Sequence, residues 1–407
     1  MSVPALGGIR VVELGDGVAT AYLGALFAAC GADVVKVEPP GRGDSTRHLP
    51  PFKNGVAAPE ASGLHVFLNA NKLGIAVDLA ATDGAAIVAQ MAGDADLLLE
   101  GLGPGRAETV GLGHAMFVKA NPRLSMTSLS WFGDTGHRRD WAGSDAIAQA
   151  LAGFIYPIGQ PEGPPMIPGG FNAQITAAVT AFIPTMAALI GTLGGDNGIH
   201  IDQSVVEAQT TYHEGGAVRA SYDDGESIRM GLNRFMPTYP QTIFPAKDGW
   251  IGVTVLTPLQ WHNCCHMIGA PELLDDKRFG TTPDRMDHAD IMDEILIPLF
   301  RKRTAAEWFH EGQAQRLPLA LVPRMKDLAE LDHFQARKVL AAFSHPDIGS
   351  FDAAAIPWKL AKTPVTAGGA APRLGEHTQA VLGDLGIARP DLDRLAEAGI
   401  IGVGGRA

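Results

Sequence analysis

The hydrophobic positions of the N-terminal half switch period repeatedly. "IRVVEL" (9–14) is a short apolar run, and after "GDG" the residues Leu23, Leu26, Phe27 and Cys30 share one helical face. "GADVVKVE" (31–38) returns as a second strand, which makes a βαβ unit. Such a crossover joins parallel strands and lays a helix on the sheet. The alternation continues through "GIAVDL" (74–79), a helix carrying Ile87, Val88 and Met91, then "DLLLEG" (96–101). A strand in "RLSMTSLSWFG" (123–133) and a helix in "SDAIAQALAGF" (144–154) follow. Ile175, Val179, Phe182, Ile183, Met186 and Leu189 recur at helical spacing and predict a helix over 174–190 behind a Pro/Gly loop.

After about residue 220 the texture changes. "TIFPAKDGWIGVTVL" (242–256) reads as two strands around a Lys-Asp-Gly turn, and amphipathic helices such as "PLQWHNCCHMIG" and "TAAEWFHEGQAQR" come next. The pattern divides the chain into 1–224, an α+β segment over 225–330, and a return to α/β character over 331–407, where "RLGEHTQAVLGDLG" (373–386) is helical.

Composition changes this picture little. The 407 residues are 46% hydrophobic and 19% charged, enough apolar material for a large core. The 44 acidic and 32 basic side chains, net −12, exclude a phosphate backbone as partner, so no nucleic acid is expected. Cys30, Cys264 and Cys265 cannot build a disulfide framework, and the N-terminus lacks a basic region followed by an apolar run. A reducing, cytoplasmic location is the expectation. Residues 163–195 carry no charged side chain, but they are rich in Ala, Thr, Gly and Pro, with Pro184 inside the helical part. A buried helix is expected there, not a membrane span.

Four motifs are candidates for chemistry. The Gly-x-Gly of "ELGDGVATA" (13–21) sits between strand and helix. It is either an ordinary tight turn or a place where backbone N–H groups receive a phosphate. Glu38 ends the second strand, where a dinucleotide-binding domain would hold a ribose, but the third glycine of that fingerprint is missing. "HNCCH" places His262 and His266 four apart, without a second pair of ligands, so packing is expected and no metal. In "GRGDSTR" (41–47), Arg42 and Arg47 serve either an anionic ligand or a solvated loop. Asp145 at a helix start reads both as a cap and as a polar group lining a site.

Five blocks carry more: "GADVVKVEPPGRGDSTR", "NANKLGIAVDL", "NPRLSMTSLSWFG", "GSDAIAQALAG" and "RLGEHTQAVLGDLG". Together they resemble the family III CoA-transferases, a group that includes formyl-CoA transferase, carnitine CoA-transferase and the α-methylacyl-CoA racemases. The resemblance implies a Rossmann-like parallel-sheet large domain made from both chain ends, an inserted small α+β domain, and two chains interlocked as a dimer. It implies coenzyme A or acyl-CoA as substrate, with small-molecule acids as the other reactants. It also implies CoA contacts at Val18, Ala19, Pro39, Val77, Asp78, Leu102, Gly103 and Arg106. Where relatives place basic side chains, this chain has Pro39, Ala80 and Thr109, and Arg106 is the compensating cation. The glycine-rich flap of formyl-CoA transferase has no counterpart between 216 and 250.

The family's transferases attack the acyl thioester with one Asp, which later carries CoA as an aspartyl thioester. Counting forward from Pro164-Pro165 and back from "AAL" (187–189) both lead to Gln174. A carboxamide does not ionise, and loss of an essential nucleophile costs on the order of a millionfold in turnover. The racemase branch needs a His before the Asp145 position, and here that residue is Ser144. The resemblance therefore implies a transferase subunit that works with a catalytic paralogue, as the heteromeric benzylsuccinate CoA-transferases do, or with a second copy of itself. Two other readings stay open. One is a self-sufficient enzyme in which the Gln174 amide stabilises an oxyanion; the other is a non-catalytic acyl-CoA binder. Phe154, Ile155, Phe171 and Phe182 form either an acyl-group wall or ordinary core.

Overall fold

Six parallel strands organise the larger part of the molecule: β1 (Arg10–Gly15), β2 (Asp33–Glu38), β3 (Leu73–Val77), β4 (Leu97–Gly101), β5 (Ser125–Ser130) and β6 (His200–Ser204). The computed structural model describes residues 4–212, 216–222, 225, 228–235, 238–366 and 368–404. Across the sheet the order is Ile401–Gly402, β3, β2, β1, β4, β5, β6. β1, β3 and β4 are buried on both faces over most of their length, which is why they read as mostly apolar runs, whereas the edge strand β6 is polar and partly exposed. Val11 of β1 packs with one core and Val12 and Leu14 with another on the opposite face.

The helices of this part are α1 (Val18–Ala29), α2 (Gly63–Asn69), α3 (Thr82–Gly93), the single turns α4 (Arg106–Thr109) and α5 (His114–Phe117), α6 (Asp145–Leu151) and α7 (Asn172–Leu193). On one sheet face α1 and α7 meet through Leu23, Phe27, Ala177, Ala178 and Ala181, the alanines allowing close approach. The other face is covered by α3 and by the C-terminal helices Thr378–Asp384 and Arg389–Glu397 through Val88, Met91, Leu382 and Leu392. Ile401 then pairs antiparallel with Val77, so the end of the chain completes the sheet that its beginning started.

The chain divides into two compact units. The larger comprises 1–154, 167–222 and 335–407; the second takes 223–334 together with 155–166, a stretch that the sequence reading left with the N-terminal part. The second unit holds a three-stranded antiparallel sheet (Gln241–Pro245, Trp250–Thr254, Leu319–Leu321) with helices around a core of Trp261, Cys264, Cys265, Phe300 and Trp308. In the larger unit, a further small sheet of Leu340–His345, Gly349–Ala354 and Gly369–Ala370 was not anticipated, because its strands are short and half-exposed.

The helix α7 departs from expectation in one respect. Among the described residues it is the one helix long and apolar enough to cross a membrane. Its Ala177, Ala178, Ala181 and Leu189 side is buried, but Val179, Ile183, Ile190 and Leu193 are exposed along the other. The expectation of a buried helix holds for one face only.

Candidate active site

Strand order reverses at β1, with β2 and β3 on one side and β4, β5 and β6 on the other. Loops leaving adjacent strands diverge at such a point and open a crevice at their carboxyl edge. The chain has a cleft of about 410 Å³ there, lined by the turns after β1 (Asp16–Thr20), β4 (Gly101–Pro104) and β5 (Ser130, Trp131), with Arg139, Trp141, Phe171 and Gln174 completing it. Two glycines let these turns touch. A Cβ on Gly15, at φ +132°, would lie 2.5 Å from the Gly101 nitrogen, and one on Gly101 would lie 2.2 Å from Thr20 Oγ1.

Helix α1 starts inside this cleft with Gly17 as its N-cap and no side chain capping it. The first-turn N–H groups, those of Val18 and Ala19 among them, have no intrahelical partner and are oriented to receive negative charge. Gln174 meets α1 from across the cleft. It lies in the first turn of α7, and its Oε1 is 3.7 Å from where a Cβ on Gly17 would be.

Behind Gln174 stands Asp145, at the start of α6. One carboxylate receives four N–H groups: Ala173 N at 2.9 Å, Gln174 N at 3.2 Å, Gln174 Nε2 at 3.3 Å and Gln149 Nε2 at 3.0 Å. Asp145 thus caps α7 from the first turn of α6, joins both helices, and fixes the Gln174 amide with its nitrogen toward the carboxylate. With its lone pairs taken this way, Asp145 is a poor nucleophile, and it does not line the cleft.

The carboxylate that does line the cleft is Asp16. Its Oδ1 accepts the Ser45 N–H at 2.5 Å and its Oδ2 lies 3.6 Å from Arg42, so it braces the loop after β2. A second acid acts from beneath. Glu100 of β4 accepts the Leu102 N–H at 2.8 Å and so holds the cleft loop, and burial raises its carboxyl to about 7.

Of the expected CoA contacts, Val18, Ala19, Leu102 and Gly103 line the cleft beside Gln174. Arg106 is exposed at the start of α4, with its Cδ 3.9 Å from a Cβ position on Gly103. Pro39, Val77 and Asp78 lie at the carboxyl ends of β2 and β3, on the same sheet edge but outside the cleft lining. The Asp78 N–H is spent on Ile400 O and its Oδ1 on Ala80 N. Among the expected wall residues only Phe171 lines the cleft. Phe182 stacks with Phe27 and Trp358, Phe154 packs on Tyr212, and Ile155 belongs to the second unit.

Two expectations are corrected. Arg47 is neither a ligand contact nor a solvated side chain: it is fully buried, bonded to Glu38 at 2.7 and 2.8 Å and to Glu60 at 2.8 Å. That pairing also removes Glu38 from any ribose-binding role. Next to it, Lys36 bridges Glu13 at 2.8 Å and Asp44 at 2.7 Å, while Lys72 reaches Glu13 at 2.7 Å, all buried beneath α1. Burial pushes the Lys72 ammonium down to about 8 even so.

Nothing supports a metal site at "HNCCH". Cys264 and Cys265 are core, and His262 and His266 are exposed neighbours, their rings 4.5 Å apart. Glu60, His345 and Asp347 bring donor atoms within 4.8 Å of one another, but Arg47 and Arg373 already hold the two carboxylates and oppose a cation. Sequence reasoning missed Asp16, Glu100, Arg139, Trp131 and Trp141. For Asp16, Glu100 and Trp131 the usable signal was their position just before or after the carboxyl ends of β1, β4 and β5; Arg139 and Trp141 lie farther along the loop after β5 and carry none.

The chain is 28% identical over 384 residues to a succinate–glutarate CoA-transferase of Agrobacterium fabrum, covering 94% of this chain and 96% of that one. It is 29% identical over 391 residues to the beta subunit of a succinyl-CoA–L-malate CoA-transferase of Chloroflexus aurantiacus, covering 93% and 94%. A crystal structure of a CAIB/BAIF family protein from Brucella suis superposes with a TM-score of 0.84 at 23% identity, over 95% of this chain and all of that one. Residues 6–378 match CoA-transferase family III, and the chain belongs to that family.

Proposed function

We propose that this chain binds acyl-CoA at the switch-point cleft and takes part in moving CoA between carboxylic acids as the subunit without the nucleophile. A second family III chain supplies the carboxylate. The observation that carries this reading is Gln174: a carboxamide bonded to Asp145, on the cleft wall, at the position that the family resemblance gives to the attacking Asp. The full reaction needs an ionised oxygen that attacks the thioester carbonyl and expels CoA as thiolate. The thiolate then attacks the resulting anhydride at the enzyme carbonyl, releasing the first acid and leaving an enzyme thioester for the second acid to reverse.

Three features support this reading. One relative is named as a beta subunit and another as an alpha subunit, so heteromers occur among similar chains. The exposed apolar side of α7 suits cover by another chain, which fits an interlocked pair. The named acids of the relatives, succinate, glutarate and L-malate, each carry two carboxylates, and we propose that class for this chain. In the self-sufficient alternative, with Gln174 as an oxyanion donor, the amide offers one N–H, because its other donates to Asp145.

The test is peptide mass spectrometry after incubation with succinyl-CoA. The purified chain alone should show no CoA-derived adduct, and native co-purification should bring a second family III chain at one-to-one stoichiometry. An adduct on Asp16, Asp145 or any other carboxylate of this chain, formed without other proteins, overturns the proposal. Absence of transfer with every family III partner, despite acyl-CoA binding, leaves a binding protein instead.

A further inference from the structure

Among the described residues, the cleft lining contains one cationic side chain, Arg139. Its guanidinium carries five N–H donors. In the structure one of them is used, Nε toward Asp140 Oδ1 at 3.4 Å, and that carboxylate is mostly solvated. Among the described residues no other acceptor meets the guanidinium. Its Nη2 rests against the turn after β4: a Cβ on Gly105, at φ +69°, would lie 2.9 Å from it. The absence of a side chain at 105 therefore makes room for the guanidinium at the cleft. Trp131 and Trp141 line the same cleft, and Arg138 lies over the Trp141 ring at 5.0 Å. A guanidinium with unused donors on a cleft lining that also carries two indoles is a setting for a planar anion, because its fork matches a carboxylate through two parallel bonds.

We propose that Arg139 is the specificity-determining residue of this cleft, pairing with the carboxylate at the far end of a dicarboxylic acyl group. The inference rests on the acyl-CoA reading given above and deepens it to a residue. A dicarboxylate bound through one carboxyl at the reacting end leaves the other charged, and burying that charge unpaired is costly. Asp16, the one carboxylate on the lining, repels it, whereas Arg139 pairs with it through two parallel N–H···O bonds. A monocarboxylic acyl group of the same length gains nothing from the guanidinium, so the residue separates the two substrate classes. The rival anion for the same guanidinium is a CoA phosphate, and the experiment distinguishes the two.

Binding is measured by calorimetry and by the Trp131 and Trp141 fluorescence, on the protein as it purifies with any partner. The probes are succinyl-CoA, butyryl-CoA and free CoA, because the first two differ at the terminal carbon. Wild type should prefer succinyl-CoA over butyryl-CoA by roughly tenfold or more, the size of one charge-assisted contact. Arg139→Gln should erase that preference with less than about a twofold change for free CoA, and Arg139→Lys should restore part of it. Circular dichroism confirms that each variant is folded. If Arg139→Gln weakens all three probes equally, the guanidinium serves a phosphate and the proposal is wrong. If wild type binds CoA but shows no preference, the assignment of Arg139 falls while the CoA site stands. If wild type binds none of the probes, the acyl-CoA reading falls and takes this inference with it.

Discussion

Two polar assemblies flank helix α1, and they are built on opposite principles. Beneath the helix, Glu13, Lys36, Asp44 and Lys72 form a closed set of ion pairs between 2.7 and 2.8 Å, all of them buried. At its N-terminus, the cleft presents uncapped N–H groups, a guanidinium with one weak partner, and a neutral amide at Gln174. The first assembly turns its charges on one another out of reach of solvent, and burial makes each of them depend on the others. The second has donors left unused, which suits the anion proposed for it. The difference teaches that charge density in a sequence does not locate function. What locates it here is polar capacity left unused at an accessible place.

The largest expected effect comes from breaking the closed assembly. Glu13→Leu leaves Lys36 and Lys72 without their shared counter-ion, and removing one partner of a buried pair costs about 3–5 kcal/mol. Lys72 keeps Ala21 O and Asn69 Oδ1 as acceptors, at 2.7 and 2.9 Å, which limits the loss. Urea unfolding of the variant measures it. A change below about 1 kcal/mol would show that the cluster is not the scaffold that the comparison requires.

A smaller effect on stability, but a larger one on chemistry, is expected at Gln174→Asp. The new carboxylate replaces an N–H···O contact of 3.3 Å with two facing acids, and two such groups cannot both ionise cheaply. The variant should lose about 1–3 kcal/mol and gain a CoA adduct at residue 174 on treatment with succinyl-CoA, more readily as pH rises and the pair ionises. An unmodified Asp at 174, in a folded variant that binds acyl-CoA, would place the missing nucleophile elsewhere.

Much of this contrast was hidden from the sequence, for identifiable reasons. Strands β1, β3 and β4 were legible because burial on both faces leaves mostly apolar runs, and α7 because its apolar spacing is regular. Gln174 and Asp145 were picked out as two positions, but that one amide and one carboxylate meet across 29 residues was not. Arg47 was misread because its partner Glu38 lies nine residues back, on a strand end that only the fold brings beside it. Arg139 and Trp141 carry no motif at all; they matter because a loop from β5 folds over loops from β1 and β4. The apolar outer side of α7 shows the converse. The sequence marked the helix as core, and a single chain covers only half of it.

Glu100 lies between the two assemblies in character, and it offers the finest test of the distinction. It is buried like the ion cluster but has no cation, only the Leu102 N–H and Ser128, and it supports the cleft loop. Burial raises its carboxyl from 4.5 to about 7. The folded protein therefore keeps a proton that the unfolded chain releases. The stability this contributes is fully present below about pH 4.5 and is lost as pH rises through about 7. Glu100→Gln keeps an acceptor for Leu102 and removes the charge. The variant should match wild type near pH 4.5, exceed it by about 3 kcal/mol at pH 8, and show a flatter profile between, as thermal unfolding across that range will read. If instead the variant is weaker than wild type at pH 8, the ionised carboxylate is stabilised where it lies. Glu100 would then belong with the closed cluster, and the line between scaffold and site would have to be drawn one residue closer to the cleft.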